Sequence, residues 1–377
     1  MRIIFSSTPA HGHLMPLLPL ARAFRDRGDD VAVLASAAFG PMLDAERLPL
    51  LAIGPEMPDL LAEGARRAGV DDPTAPSPAV AAEVFAGARI DLSADAAIAA
   101  AREFRPDVIV AEATDYVGPF VAAALEVPYA KHALGPLIPA EFTDVFDAVA
   151  ERAYKDRGMA MPTPAWYVDP CPEVLQGSGW QPPQGHLPLR AEAHRGPAAT
   201  DGPATPATLA VRTRPKVLLS FGTHFGTPAL LRPIIEALAP LADLVVGLGL
   251  TATAADYSDG FDHVEFVGFI PLAELLDGVD LVVTHGGAGT TLGTLSHGLP
   301  MVVVPQGADQ FIQAGAVSGA RLGAAVLPPA GPEAVAQAVT DVLGNAEYRE
   351  NARRAAEQIT AMPSAREVAD RLAAALA

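Results

Sequence analysis

Short apolar runs alternate with stretches of helical periodicity along most of the chain. The first run, Arg2 to Ser6, ends in a small polar turn, and Leu14, Leu17, Leu18, Ala21 and Phe24 then recur at helical spacing, which predicts strand, loop and helix. Gly28 closes that helix, and Val31 to Leu34 is a second run of buried-strand type. Pro106 to Val110 precedes an Ala-rich helical stretch from Gly118 to Leu125 and the strand-like Val127 to Ala130. After residue 213 the alternation restarts with Lys216 to Ser220, Leu244 to Val246, His263 to Val267, Asp280 to Thr284, Met301 to Val304 and Ala324 to Leu327. Helices over Pro332 to Leu343, Ala346 to Met362 and, beyond Pro363, an amphipathic Ser364 to Leu376 close the chain. Strands alternating with helices imply parallel sheets, so the chain is expected to be α/β, with two doubly wound domains.

Two segments break the pattern. Pro, Gly and Asp cluster between Pro55 and Pro78, which reads as a lid or mobile loop. Gly177 to Thr213 has no periodicity, and residues 196–213 read as an interdomain linker. Two domains also agree with the 377 residues at ~150 per domain. With 26 basic against 44 acidic residues the net charge is −18, which argues against polyanionic partners such as nucleic acid or an anionic membrane and leaves room for a small anionic ligand. The single cysteine, Cys171, excludes an intramolecular disulfide and a thiolate metal cluster. Ser6, Ser7, Pro9 and His11 interrupt the first apolar stretch, unlike a signal peptide, and no apolar run nears ~20 residues. The expectation is a cytoplasmic protein without a membrane span.

In open parallel sheets ligands sit beyond the carboxyl ends of the strands, so the loops there are the candidates for chemistry. Thr284-His285-Gly286-Gly287-Ala288-Gly289-Thr290-Thr291 lies between a strand and a helix. Glycines admit a ligand close to the backbone, and the amides of a helix start suit a diphosphate, with His285 and Thr290 as further donors. A turn whose glycines serve packing alone would explain neither His285 nor Thr290. Ser220-Phe221-Gly222-Thr223 is a similar turn, from which Ser220 and Thr223 could reach the same diphosphate. Asp309 and Gln310 stand side by side before a helix, suited to sugar hydroxyls or, for Asp309, to capping. In Ala10-His11-Gly12-His13-Leu14-Met15-Pro16, Pro16 puts His13 at a helix N-terminus, where a histidine of ordinary pKa, about 6.5, stays mostly neutral and can act as a base. Glu112 can orient its ring; His11 competes with His13, and Asp115 with Glu112. The loop has only Gly12, so it lacks a dinucleotide fingerprint, and no metal-spaced cluster is present.

These motifs resemble the GT-B glycosyltransferases, specifically the bacterial enzymes that attach deoxysugars to antibiotics and other natural products. The resemblance runs from Gly12-His13-Leu14-Met15-Pro16 through the donor signature, Thr284 to Gln310, to the Met362-Pro363-Ser364 break. It implies two Rossmann-like doubly wound parallel-sheet domains facing a cleft: an acceptor-binding domain (1–195), the linker, a nucleotide-sugar donor-binding domain (214–361) and a C-terminal helix (362–377) returning to the first domain. It implies that His13 is the base and Glu112 its orienting acid, although many relatives have Asp there. Phe269 stands at the base-stacking position, where Trp is frequent, and the Ile270 backbone could read the pyrimidine edge. His285, Gly287, Gly289 and Thr290 match diphosphate contacts, and Asp309 with Gln310 match sugar contacts.

The implied reaction is an inverting, metal-independent transfer from a dTDP- or UDP-linked sugar, a co-substrate with no further cofactor, to a hydroxyl of a hydrophobic small-molecule acceptor such as a polyketide. Phe85, Phe142, Phe146 and Trp166 are candidate acceptor contacts or core residues. A homodimer is compatible with this reading. The alternatives are a GT-B nucleotide-sugar epimerase, which has no need of an acceptor cavity, and a non-catalytic helper of a partner transferase, which has no need of His13 and Glu112.

Overall fold

A computed structural model describes residues 1–71, 77–196, 213–257 and 260–376; the expected linker over 196–213 lies almost wholly outside the described residues. The chain divides into two compact units, Met1–Pro170 with Trp180–Leu189 and Pro363–Ala377, and Cys171–Gly179 with Arg190–Met362. Cys171, Leu175, Ala191 and Ala193 lie in the core of the second unit, whereas a boundary at residue 195 would give them to the first.

The first unit is built on strands β1 (Arg2–Ser6), β2 (Asp30–Ala35), β3 (Leu50–Ala52), β4 (Val108–Glu112), β5 (Tyr129–His132), β6 (Trp166–Asp169) and β7 (His186–Pro188). They form a parallel sheet in the order β3-β2-β1-β4-β5-β6-β7. Successive residues of β1 bury on opposite faces, Ile3 and Phe5 with Leu14, Leu18 and Phe24, Ile4 with Ile109, Val117 and Val121. Both faces are therefore covered, which is why the strands read as continuous apolar runs. The last helix, Ala365–Leu376, packs Val368, Ala369 and Leu372 into the first of these clusters, against the helix Leu18–Arg27.

The second unit carries β8 (Lys216–Ser220), β9 (Asp243–Gly247), β10 (Val264–Val267), β11 (Leu281–Thr284), β12 (Met301–Val303) and β13 (Gly323–Ala325). These are parallel in the order β10-β9-β8-β11-β12-β13. In each sheet the strand order reverses between two central neighbours, β1 and β4 in one, β8 and β11 in the other. Such a switch point leaves a crevice beyond the carboxyl ends of the two strands.

The region from Pro55 to Pro78 is the main departure from the expected pattern. Met57–Ala68 is a helix, with Pro58 in its first turn and Gly69, at φ +67°, closing it. Pro fits a first helical turn because no intrahelical partner awaits its missing N–H. Gly64, which reads as a breaker, is a packing site, since a Cβ there would come within 2.8 Å of Val84 Cγ2. Only residues 72–76 of the expected lid lie outside the described residues. The short edge strand β7 falls inside the stretch that reads as irregular.

Candidate active site

At the switch point of the first sheet, β1 leads into the loop that carries His13 and β4 ends on Glu112; Ser6 and Ala111 are register partners. His13 sits in an opening turn, His11–Leu14, which continues through a tight turn at Pro16 into Leu18–Arg27. Its Nδ1 is 3.1 Å from Glu112 Oε1. Thr114 Oγ1 lies 3.1 Å from the same nitrogen and donates to both carboxylate oxygens, while the Thr114 amide donates to Glu112 Oε2 at 2.7 Å. The Thr8 amide reaches Glu112 Oε1 at 3.4 Å. Burial alone would raise the Glu112 carboxyl, but His13 and these donors hold it at about 2. An ionised carboxylate facing Nδ1 accepts its proton in a hydrogen bond, which leaves the lone pair on Nε2.

The competitors are engaged elsewhere. His11 packs edge-on to Phe39 at 5.0 Å, and Asp115 accepts from Ser6 Oγ, from Gly118 N at 2.9 Å and from Val117 N at 3.4 Å. Phe85 lies 5.7 Å from the His13 ring and 5.7 Å from Phe146, whose other neighbour is Tyr116 at 6.5 Å. The structure therefore brings Phe85 and Phe146 to His13. Trp166 is not with them: it pairs with Ala130 at the amino end of β6 and packs, half-buried, against the sheet's core. The Phe142 side chain is outside the described residues. Thr114 was missed by sequence reasoning, although its place two residues after Glu112, in Glu112-Ala113-Thr114, was the available signal.

The second sheet presents a different kind of site. Beyond β11 the helix Ala288–Ser296 starts with Gly287 as its cap and no side-chain capping bond, so its first amides are open. The glycines around it do different jobs. Gly286 has φ +91°, and a Cβ on Gly287 would lie 2.6 Å from His285 Nε2. A Cβ on Gly222, beyond β8, would lie 2.7 Å from His285 Cε1. These two glycines form a slot for the imidazole. Gly289, in contrast, has open space where its Cβ would be and is exposed, so packing does not require it.

His285 is 7% exposed and sandwiched between Phe221 and Phe225, at 6.1 and 5.4 Å. Burial pushes it down to about 4, against a hydrogen bond to the Ser220 backbone that favours the charged form, so it is a neutral imidazole rather than a cation. Phe225 had no recognised signal in the sequence. Ser220 is buried at the end of β8, Thr223 is half-buried in the turn after it, and Thr290 is half-buried in the first helical turn. Asp309 makes no capping bond to the helix it precedes. Gln310 is largely committed: its Oε1 accepts from the amides of Gln306 and Gly307 at 2.7 and 3.1 Å. Phe269 and Ile270, beyond β10, are 44% and 38% exposed. Four strand spacings of ~4.8 Å separate β10 from β12, so these groups spread over about 19 Å of one sheet edge. Among the described residues no group of three or more His, Cys, Asp or Glu is placed to hold a metal ion.

Residues 22–182 match the family model for the N-terminal domain of erythromycin biosynthesis protein CIII-like proteins, and residues 238–375 match that for the C-terminal domain. The chain is 30% identical over 391 residues to the elloramycin glycosyltransferase of Streptomyces olivaceus, covering 99% of this chain and 97% of that one. It is 29% identical over 402 residues to the L-demethylnoviosyl transferase of Streptomyces niveus, covering 99% and 98%. Among solved structures it is similar to the Streptomyces sp. SF2575 glycosyltransferase SsfS6 complexed with thymidine diphosphate, with TM-score 0.79, 25% identity and 99% of both chains covered.

Proposed function

The chain belongs to the erythromycin biosynthesis protein CIII-like family and is a GT-B glycosyltransferase of the natural-product type; from that premise we propose that it moves a deoxysugar from a thymidine-diphosphate donor to a hydroxyl of a hydrophobic aglycone, with inversion. The observation that carries the reading is the contact of 3.1 Å between His13 Nδ1 and the buried, ionised Glu112 at the switch point of the first sheet. His13 Nε2 takes the proton of the acceptor hydroxyl as that oxygen attacks the anomeric carbon. The bond to the diphosphate oxygen breaks at the same time, its electron pair leaves with the diphosphate, and the configuration at carbon inverts. Glu112 fixes the tautomer and offsets the charge gained by the imidazole.

On the donor side, the open amides of the helix Ala288–Ser296 and the hydroxyls of Ser220, Thr223 and Thr290 meet the charge that grows on the diphosphate, with His285 packed beneath them and bonded to the Ser220 backbone. Fixed dipoles supply that field, which supports transfer without a metal ion. Gly289 leaves room for the diphosphate to approach the backbone. Exposed Phe269 offers a face to the base, with the Ile270 backbone beside it, and Asp309 with the Gln310 amide nitrogen reaches the sugar hydroxyls. The thymidine diphosphate held by SsfS6 supports the choice of nucleotide. Phe85 and Phe146 wall the acceptor's approach to His13 with aromatic surface, which supports a hydrophobic aglycone.

The test is incubation with thymidine- and uridine-diphosphate sugars and a panel of polyketide aglycones, followed by mass spectrometry and NMR of the product anomer. Transfer with inverted configuration is expected. Retained configuration would overturn the mechanism, and isomerised sugar without any acceptor would replace it with epimerisation.

A further inference from the structure

We propose that Arg89 is a positioning residue for the transfer, acting through the Ser7–Thr8 peptide on Glu112 and, through Glu112, on His13; this rests on the reading of His13 as the base. Arg89 belongs to the helix Ala88–Phe104 and its side chain is fully buried. Nη2 donates to the Ser7 carbonyl at 3.0 Å and Nη1 to Ser93 Oγ at 3.0 Å. The Ser7 carbonyl and the Thr8 N–H belong to one peptide group, and that N–H points at Glu112 Oε1, 3.4 Å away. The same oxygen lies 3.1 Å from His13 Nδ1. A guanidinium pulling on the carbonyl oxygen polarises the peptide and strengthens its N–H as a donor, as hydrogen bonds in series do. The run from Arg89 through the peptide to Glu112 and His13 is therefore continuous.

The site is built to hold the guanidinium there. Gly54 has φ +66°, and a Cβ on it would lie 2.7 Å from Arg89 Nη1 and 2.2 Å from Ser93 Oγ. As a purely structural ion pair Arg89 is poorly used. Its nearest carboxylate, Asp115 Oδ1, stands 3.9 Å away, beyond hydrogen-bond distance, and its Nε has no partner. Burial penalises both charges before any attraction is counted. What the arrangement does achieve is a fixed plane for the Ser7–Thr8 peptide, directly before the loop that carries His13. The charged and titratable groups facing Glu112 are His13, Arg89, Asp115 and, from β5, Lys131 and His132.

The test uses Arg89→Met, Arg89→Lys and the double variant Arg89→Met with Asp115→Asn, which also removes the carboxylate nearest the lost guanidinium. Each is checked for folding by circular dichroism and thermal melting, then measured for kcat, donor KM and the titration of the His13 ring by nitrogen-15 NMR without substrate. Arg89→Met should lower kcat about 10- to 100-fold with donor KM unchanged, and should move the His13 midpoint upward, because loss of a buried positive charge favours imidazolium. The double variant should also lose kcat and displace the midpoint, and Arg89→Lys should restore part of both. Should the methionine variants fail to fold, Arg89→Lys alone decides: a folded protein with reduced kcat and a displaced midpoint supports the role. A folded variant with the wild-type kcat and an unmoved midpoint overturns it. Because the NMR titration needs no turnover, it separates this proposal from the assignment of His13 as base, which fails instead if His13→Ala retains full activity.

Discussion

The two sheets share a topology and place their candidate sites at equivalent switch points, yet the sites are made of different materials. In the first unit the site is a set of side chains gathered from distant segments, with an ionised carboxylate at about 2 wired to a histidine. In the second it is backbone and glycine around a neutral histidine at about 4, boxed between two aromatic rings. On the proposed reading the contrast follows from the two tasks. Moving a proton requires a titratable group whose partner holds its tautomer, whereas holding an anion requires dipoles already oriented and insensitive to pH.

Substitutions in one half should leave the other half's property intact. The largest effect should come from His13→Ala, with a fall in kcat of about 10² to 10⁴-fold and unchanged affinity for thymidine diphosphate by calorimetry. Glu112→Gln should follow, losing kcat while donor KM holds; a rise in donor KM instead would show that the carboxylate serves the other half. In the second unit, Phe269→Ala should raise donor KM about tenfold, the scale of one base stacked on an aromatic ring, and leave kcat alone. The glycines divide more finely. Gly287→Ala would drive its methyl into His285 and should lower the melting temperature. Gly289→Ala should keep or raise it, since the site is open and Ala favours a helix, and yet weaken diphosphate binding. Equal behaviour of the two variants would remove the distinction drawn between them.

The smallest effect concerns pH. His285 and His132, both at about 4 through burial, are lowered from 6.5, so the fold prefers their neutral forms. Their stabilising contribution is complete above about 6.5 and is lost as pH falls from there through about 4; Glu112, lowered from 4.5, adds a loss between 4.5 and about 2. Denaturant midpoints should therefore hold from pH 8 to about 6.5 and then fall. Donor affinity should stay nearly level down to pH 5. A step in affinity near 6.5 would mean that His285 binds the diphosphate as a cation.

The difference between the halves also explains what the sequence disclosed. The donor loop is contiguous, because a helix start and its glycines are neighbours along the chain, so Thr284 to Thr291 was readable as a motif. The central strands were readable because both faces are buried. The first site was only half legible: His13 and Glu112 stood out at strand ends, but Thr114, Arg89 and the Ser7–Thr8 peptide join them only through the pairing of β1 with β4. Trp166 stays open between acceptor contact and core in the sequence because an aromatic residue looks alike in a core and in a binding wall. Gln310 stands beside Asp309 in the sequence, yet its carbonyl serves the loop amides, a local bond invisible in composition. Between Pro55 and Pro78 the prolines and glycines resembled a loop because helix starts and close packing draw on the same residues.

The most direct test of the central claim is a paired measurement on His13→Ala: thymidine-diphosphate affinity by calorimetry, and glycoside formation by mass spectrometry with an aglycone that the wild type glycosylates. Wild-type affinity and a loss of product formation of at least about 10²-fold are expected. Product formation at the wild-type rate with intact affinity would contradict that claim.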